Sequence, residues 1–263
     1  MTTVVLHGLG ADRRQPIDLF TPAVHAAIGA GELIIAPDIR AHGGYLSVGE
    51  PDDFRLDRLA DDVATSVRES IADTGGDASA PLTVIGISLG AAIALRLALD
   101  ELLPIEHAVF VRPSFSDQSL PDNLRAFPVI GQILADAGPA GVEEFRERAV
   151  FQRVAAVSPA GGRGLLTQFA APDAARRAMR LVEIPRNRAF TADAELAGLA
   201  GRGVRSLVIG ARRDPVHPYE LAERWAAGLD APLVELPPRD DGLNVQTALL
   251  REGVARWLQH TRA

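Results

Sequence analysis

The chain has 263 residues, 47% of them hydrophobic and 23% charged, enough for one large α/β domain with a continuous core. Its formal net charge of −7 argues against a general basic footprint for nucleic acid, and the absence of cysteine excludes disulfide scaffolds, thiolate catalysis and zinc–thiolate sites. No run reaches the roughly 18 to 20 apolar residues of a membrane span, and the start MTTVVLHGLG carries no basic segment followed by an extended apolar one, so a cytoplasmic protein with no membrane partner is expected.

In chain order, VVLHG (4–8) is a short β-branched run stopped by glycine, and LIIAP (33–37) repeats the pattern. Helical periodicity over 53–72 leads to a third such run, LTVIG (82–86), then to an alanine-rich helix over 88–100 and a fourth strand, AVFVR (108–112). SLVIG (206–210), a helical segment over 217–229 and PLVEL (232–236) complete the set. Six buried strands alternating with helices predict an α/β fold with a doubly wound, mostly parallel six-stranded sheet. From 113 to 200 the strand pattern stops, and helical stretches are punctuated by PAG (139–141), SPAGG (158–162) and APD (171–173). A helical cap over 113–200 is therefore expected, inserted into a core made of 1–112 and 201–263. It would lie over the carboxyl ends of the strands, where open α/β sheets bind ligands.

The chemistry is concentrated in LTVIGISLGAAIALRLAL, where a strand runs through Gly86-Ile87-Ser88-Leu89-Gly90 directly into a helix. A serine on such a strained turn needs glycines on both sides, because a Cβ at either would meet the neighbouring strand or helix. The helix that follows points its positive end at Ser88.

With this motif the chain resembles the α/β-hydrolase superfamily over nearly its whole length, and three further segments fall in the family's order. His7-Gly8 is similar to the HG oxyanion turn, which implies that the backbone N–H groups of Leu9 and Leu89 form the oxyanion hole. Pro37-Asp38-Ile39-Arg40-Ala41-His42-Gly43 resembles the family's PDxRGHG turn, with Ala41 where glycine is usual and His42 as an ordered loop residue. Leu207–Pro218 is similar to the penultimate strand and acid turn, which assigns Asp214 as the triad acid. Read without the resemblance, Asp214 just before a proline-started helix is equally an N-cap.

One departure stands out. The family's order is serine, acid, histidine, with the histidine after the last strand. Here that loop is Pro237-Pro238-Arg239-Asp240-Asp241-Gly242-Leu243-Asn244, and no histidine occurs from Pro218 to Gln259. His260 belongs to the solvated end of the final helix, and His25 and His107 sit beside apolar runs as ordinary partly buried residues.

A serine hydroxyl is a weak nucleophile without an adjacent base, so three readings stay open. His217, three residues after Asp214, is either a displaced base or a residue that only caps or packs its helix. Alternatively, Ser88 takes an activated acyl group and passes it to an acceptor, with Asp240 or Asp241 assisting. In the third reading the fold binds a ligand without catalysis.

Arg112, Arg186 and Arg188, with Arg212 and Arg213, are placed around the entrance by their positions after strands and in the cap. Such a cluster would suit a carboxylate, a phosphopantetheine arm or an acidic acyl carrier protein, and equally a solvated surface. His7, Arg112, Arg186 and Arg188 are taken as candidate substrate contacts, and Phe115, Phe127, Phe145, Phe151 and Phe169 as either pocket lining or the cap's own core. No His or carboxylate spacing argues for a metal, and no cofactor is expected. The expected activity is ester or thioester hydrolysis of a small-molecule acyl substrate, with acyl transfer in a biosynthetic pathway as the alternative.

Overall fold

Six parallel strands in the order β2-β1-β3-β4-β5-β6 make a single sheet in the computed structural model, which describes residues 2–261. The first half comprises β1 (Thr2–Leu6), α1 (Arg14–Ile28), β2 (Leu33–Ile35), α2 (Leu56–Asp73), β3 (Leu82–Ile87), α3 (Leu89–Leu99) and β4 (Ile105–Val111). The second half returns through β5 (Arg205–Ala211), α10 (Tyr219–Gly228), β6 (Leu233–Leu236) and α11 (Leu243–Thr261). Between them lie α4 (Ala126–Ala137), α5 (Val142–Glu147), α6 (Ala149–Val157), α7 (Pro159–Ala170), α8 (Met179–Glu183) and α9 (Asp193–Gly201).

The strands read as near-continuous apolar runs because both faces of the sheet are covered. Alternate side chains feed two cores. Val5, Ile85, Val109 and Ile209 pack with Phe20 and Val24 of α1 and Leu250 and Val254 of α11. Val4, Val84, Phe110 and Val208 face the other way, into a core with Leu59 and Val63 of α2, Ile93 of α3 and Trp225 of α10. Helix α3 is buried on almost every side from Leu89 to Leu95, which explains its nearly all-apolar sequence.

Two expected boundaries change. The first strand ends at Leu6, so His7 and Gly8 belong to the turn beyond it, where both His7 ring nitrogens find backbone partners. The segment 113–200 is not cap throughout: Leu196 and Leu199 of α9 join the core that contains Trp225 of α10 and Ile93 of α3, and α9 packs against α3 and α10. The reason is topological, since the parallel pair β4–β5 needs a crossover helix, and α9 fills that place. The cap proper is α4 to α8, with Phe145, Phe151 and Phe169 clustered inside it.

Tight packing around the Ser88 turn gives a contrast between glycines. A Cβ on Gly90 would stand 2.4 Å from the Leu6 carbonyl oxygen, whereas one on Gly198, inside α9, meets nothing within 4 Å. Gly90→Ala is expected to destabilise the fold by about 3 kcal/mol or more, and Gly198→Ala to stabilise it by about 0.5–1 kcal/mol. Urea unfolding of the two variants measures both; equal midpoints would contradict the packing described.

Candidate active site

The carboxyl ends of β1, β3, β4 and β5 converge on one point. At the end of β3 the chain turns through Ser88 with φ 57° and ψ −114°, a conformation that costs an L-residue on the order of 1–3 kcal/mol. Close packing holds it there. A Cβ on Gly86 would come within 2.1 Å of the Gly90 carbonyl oxygen, so no larger residue lets strand and helix approach so closely. The Ser88 N–H donates to the Val111 carbonyl at 2.9 Å, pinning the turn to β4, and the side chain is left partly accessible.

At the end of β5, Asp214-Pro215-Val216-His217 forms a short loop before α10. The Asp214 Oδ1 accepts from the N–H groups of Val216 and His217, each at 3.1 Å, the local turn expected of an aspartate two and three residues upstream of its donors. That turn brings the His217 ring back over the carboxylate, with Nδ1 at 3.1 Å from both Asp214 oxygens. The other ring nitrogen, Nε2, lies 2.9 Å from Ser88 Oγ. Asp214 accepts only, so Nδ1 carries the proton and Nε2 is the acceptor facing the serine. The segment between β4 and α4 steadies this loop, because the Asn123 amide donates to the Val216 carbonyl at 2.8 Å and to the Ser114 carbonyl at 2.9 Å. Ser114 Oγ sits 3.2 Å from Ser88 Oγ.

Arg112, at the end of β4, adds a cation. Its guanidinium pairs with Asp214 Oδ2, and both side chains are buried. Burial alone would raise the Asp214 carboxyl, but His217 and Arg112 outweigh it and hold the group far below the usual carboxylate range. Burial lowers the His217 imidazole; Asp214 opposes that shift and Arg112 reinforces it, leaving the ring below its ordinary value. A neutral ring beside a serine hydroxyl is the protonation state that a general base requires.

The Leu9 and Leu89 amides flank Ser88 on the turn after β1 and at the first position of α3. Neither has a hydrogen-bond partner among the described residues. The turn after β1 is braced from several directions: Gly8 N–H donates to Gln15 Oε1 at 2.8 Å and Gly10 N–H to His42 Nε2 at 3.0 Å. His7 is fully buried beneath it, its Nε2 accepting from the Ile39 N–H at 3.0 Å. This corrects the expectation that His7 contacts substrate, since it faces the protein interior and braces the loop at 37–44. Ala41 holds φ 60°, the left-handed conformation that explains why glycine is usual at that position.

A cavity of about 500 Å³ opens over Ser88, lined by Leu9, Arg112, Asp214, His217, Phe127 and Leu165 among others. Gln168 and Arg239 also line it, and neither stood out in the sequence. Of the expected phenylalanines, Phe127 alone is part of this wall, while Phe115, Phe145 and Phe169 are core residues. Arg186 and Arg188 are exposed on a separate groove with Arg55 and Asn187, so the expectation that they contact substrate beside Ser88 is also corrected. Arg212 and Arg213 pair with Glu235 and Asp241 on the outer surface. Asp240 accepts from Ser158 Oγ at 2.5 Å and the Ala160 N–H at 2.7 Å, capping α7, and is not among the residues that line the cavity. Among the described residues no cluster of three or more His, Asp or Glu side chains is arranged to hold a metal ion, and no helix is long and apolar enough to cross a membrane.

The braces of the first turn titrate. Each ring accepts a backbone N–H at Nε2 while Nδ1 donates to a carbonyl, Gly8 for His7 and Arg40 for His42, so protonation breaks both acceptor bonds. Burial lowers His7 to about 4 and His42 well below its ordinary value. The unfolded chain thus binds protons more readily between about pH 6.5 and 4. The stability these residues confer is complete above that window and is lost as the pH falls through it, on the order of 3 kcal/mol from His7 alone. Urea unfolding at pH 7.5, 5.5 and 4.5 is expected to show the decline, and a His7→Gln/His42→Gln double variant to flatten it. An undiminished decline in that variant would assign the effect elsewhere.

The fold is shared with known proteins. The human protein phosphatase methylesterase 1 is 33% identical over 101 residues, 38% of this chain, and that match spans 24% of the relative's length. Among solved structures, MenH from S. aureus superposes with a TM-score of 0.71 at 15% identity, covering 100% of this chain and 95% of the other. A thermophilic esterase from Thermogutta terrifontis gives 0.63 at 18% identity over 98% and 90% of the two chains. A putative non-heme bromoperoxidase, BpoC, from Mycobacterium tuberculosis H37Rv gives 0.65 at 21% over 98% and 90%. At these identities the structures share the fold. A model of the alpha/beta hydrolase family matches residues 3–248, and the chain belongs to that family.

Proposed function

We propose that the protein hydrolyses an ester or thioester through an acyl-enzyme on Ser88, with His217 as general base and acid and Asp214 as the orienting carboxylate. The single observation that carries this reading is the 2.9 Å approach of His217 Nε2 to Ser88 Oγ with Nδ1 on Asp214. In the first step Ser88 Oγ attacks the acyl carbon and its proton passes to His217 Nε2. The charge that develops on the carbonyl oxygen is met by the Leu9 and Leu89 N–H groups. The imidazolium then protonates the departing alkoxide or thiolate. Water repeats the sequence on the acyl-enzyme, releasing the acid and restoring the serine.

Arg112 enters this scheme through Asp214 and His217. It keeps the imidazole neutral at the cost of competing for the carboxylate. Acyl transfer from an acyl carrier protein gains no support from Arg186 and Arg188, which lie on another groove.

Turnover of p-nitrophenyl esters is expected to fall by at least about 10³ in kcat in Ser88→Ala and in His217→Ala. Because the base must be unprotonated and its pKa is lowered, the acid limb of kcat/KM should lie below about pH 6.5. Removing the cation in Arg112→Met should move that limb upward. Turnover in His217→Ala within a few-fold of wild type would overturn the base assignment.

A further inference from the structure

The cavity over Ser88 contains a cation, Arg239, with no ion-pair partner among the described residues. Four charged side chains line it: Asp18, Arg112, Asp214 and Arg239. Arg112 and Asp214 are paired with each other, and Asp18 is exposed. Arg239 has no ion pair and no side-chain hydrogen bond among the described residues, and its Nε is buried without a partner. The neighbouring carboxylates are committed elsewhere, Asp240 to the start of α7 and Asp241 to Arg213. The buried Nε of Arg112 is likewise unpartnered.

A buried guanidinium Nε without a partner is costly, and on a cation whose terminal nitrogens face a cavity it points to an anion that would complete the group. Burial lowers the Arg239 pKa, Arg112 nearby reinforces the shift and Asp214 and Asp240 oppose it, and a bound anion would add to the favourable side of that balance. The planar fork of a guanidinium matches a carboxylate. The cap contributes Gln168 to the same cavity, with its Oε1 buried without a partner and its amide packed close to Gly10 on the turn after β1.

Building on the hydrolytic reading above, we propose that Arg239 receives a carboxylate of the substrate, and that the site takes esters or thioesters bearing a second, anionic carboxyl group. Arg239 then selects substrate from the loop that supplies the histidine in relatives with the usual order.

The test compares p-nitrophenyl half-esters of succinate, glutarate and adipate with neutral p-nitrophenyl butyrate, and adds 4-butyryloxybenzoate to place the carboxylate on the leaving-group side. At least one anionic ester is expected to exceed butyrate in kcat/KM. The ratio of anionic to neutral kcat/KM should fall by about 10- to 100-fold in Arg239→Met, the loss of one charge-assisted pair, and be partly retained in Arg239→Lys. A ratio unchanged in Arg239→Met overturns the proposal. If wild type turns over neither class, the hydrolytic reading has failed, and calorimetric titration of Ser88→Ala with glutarate decides the matter separately. Binding that Arg239→Met abolishes supports the carboxylate site, whereas no binding, or binding equal in the two backgrounds, refutes it.

Discussion

The buried carboxylate of Asp214 is the constraint on which the site depends. Placed at the end of a central strand with a side chain only 7% exposed, it must be matched by donors or it would not remain ionised. Four donors match it: the Val216 and His217 amides, the His217 ring and the Arg112 guanidinium. The amide bonds shape the loop and the ring bond aims the imidazole, so a single group sets both where His217 is and how it is turned. Histidine three residues after the acid thus reaches the same serine that relatives approach from the loop after the last strand.

That substitution of position has consequences for the rest of the molecule. With the histidine supplied from the β5 end, the loop after β6 is free for other work. Asp240 ties it to the start of α7, and Arg239 turns into the cavity. Core and cap are thereby joined across the site. Behind the opposite wall, neutral imidazoles accept backbone N–H groups and hold the turn after β1 beside the strained serine. Rigid support of this kind is what an oxyanion site requires, because its donors must be in place before charge develops.

How much of this can be read in the sequence follows from how local each signal is. Ser88 and its flanking glycines are legible because strand, turn and helix are contiguous and the steric reason lies within five residues. Asp214 and His217 are legible as a spacing, although the spacing alone leaves helix capping open; the approach of His217 to Ser88, 129 residues away in sequence, is visible only in three dimensions. His7 reads as a substrate contact on a glycine turn, yet it is buried, with a partner, Ile39, that comes from another loop. Arg186 and Arg188 look like entrance residues for the same reason that Arg239 does not: chain position says nothing about which groove an arginine faces. The cap's extent is overestimated because α9, which reads in sequence as one more helix of the strand-free stretch, serves as the crossover that parallel strands β4 and β5 demand.

The central claim is that Ser88 is an activated nucleophile whose base is His217. Intact-protein mass spectrometry after exposure to a fluorophosphonate tests it most directly. A single adduct in wild type, mapped to Ser88 and absent in both Ser88→Ala and His217→Ala, is the result predicted. Labelling of His217→Ala at the wild-type rate, or an adduct elsewhere on the chain, would contradict it.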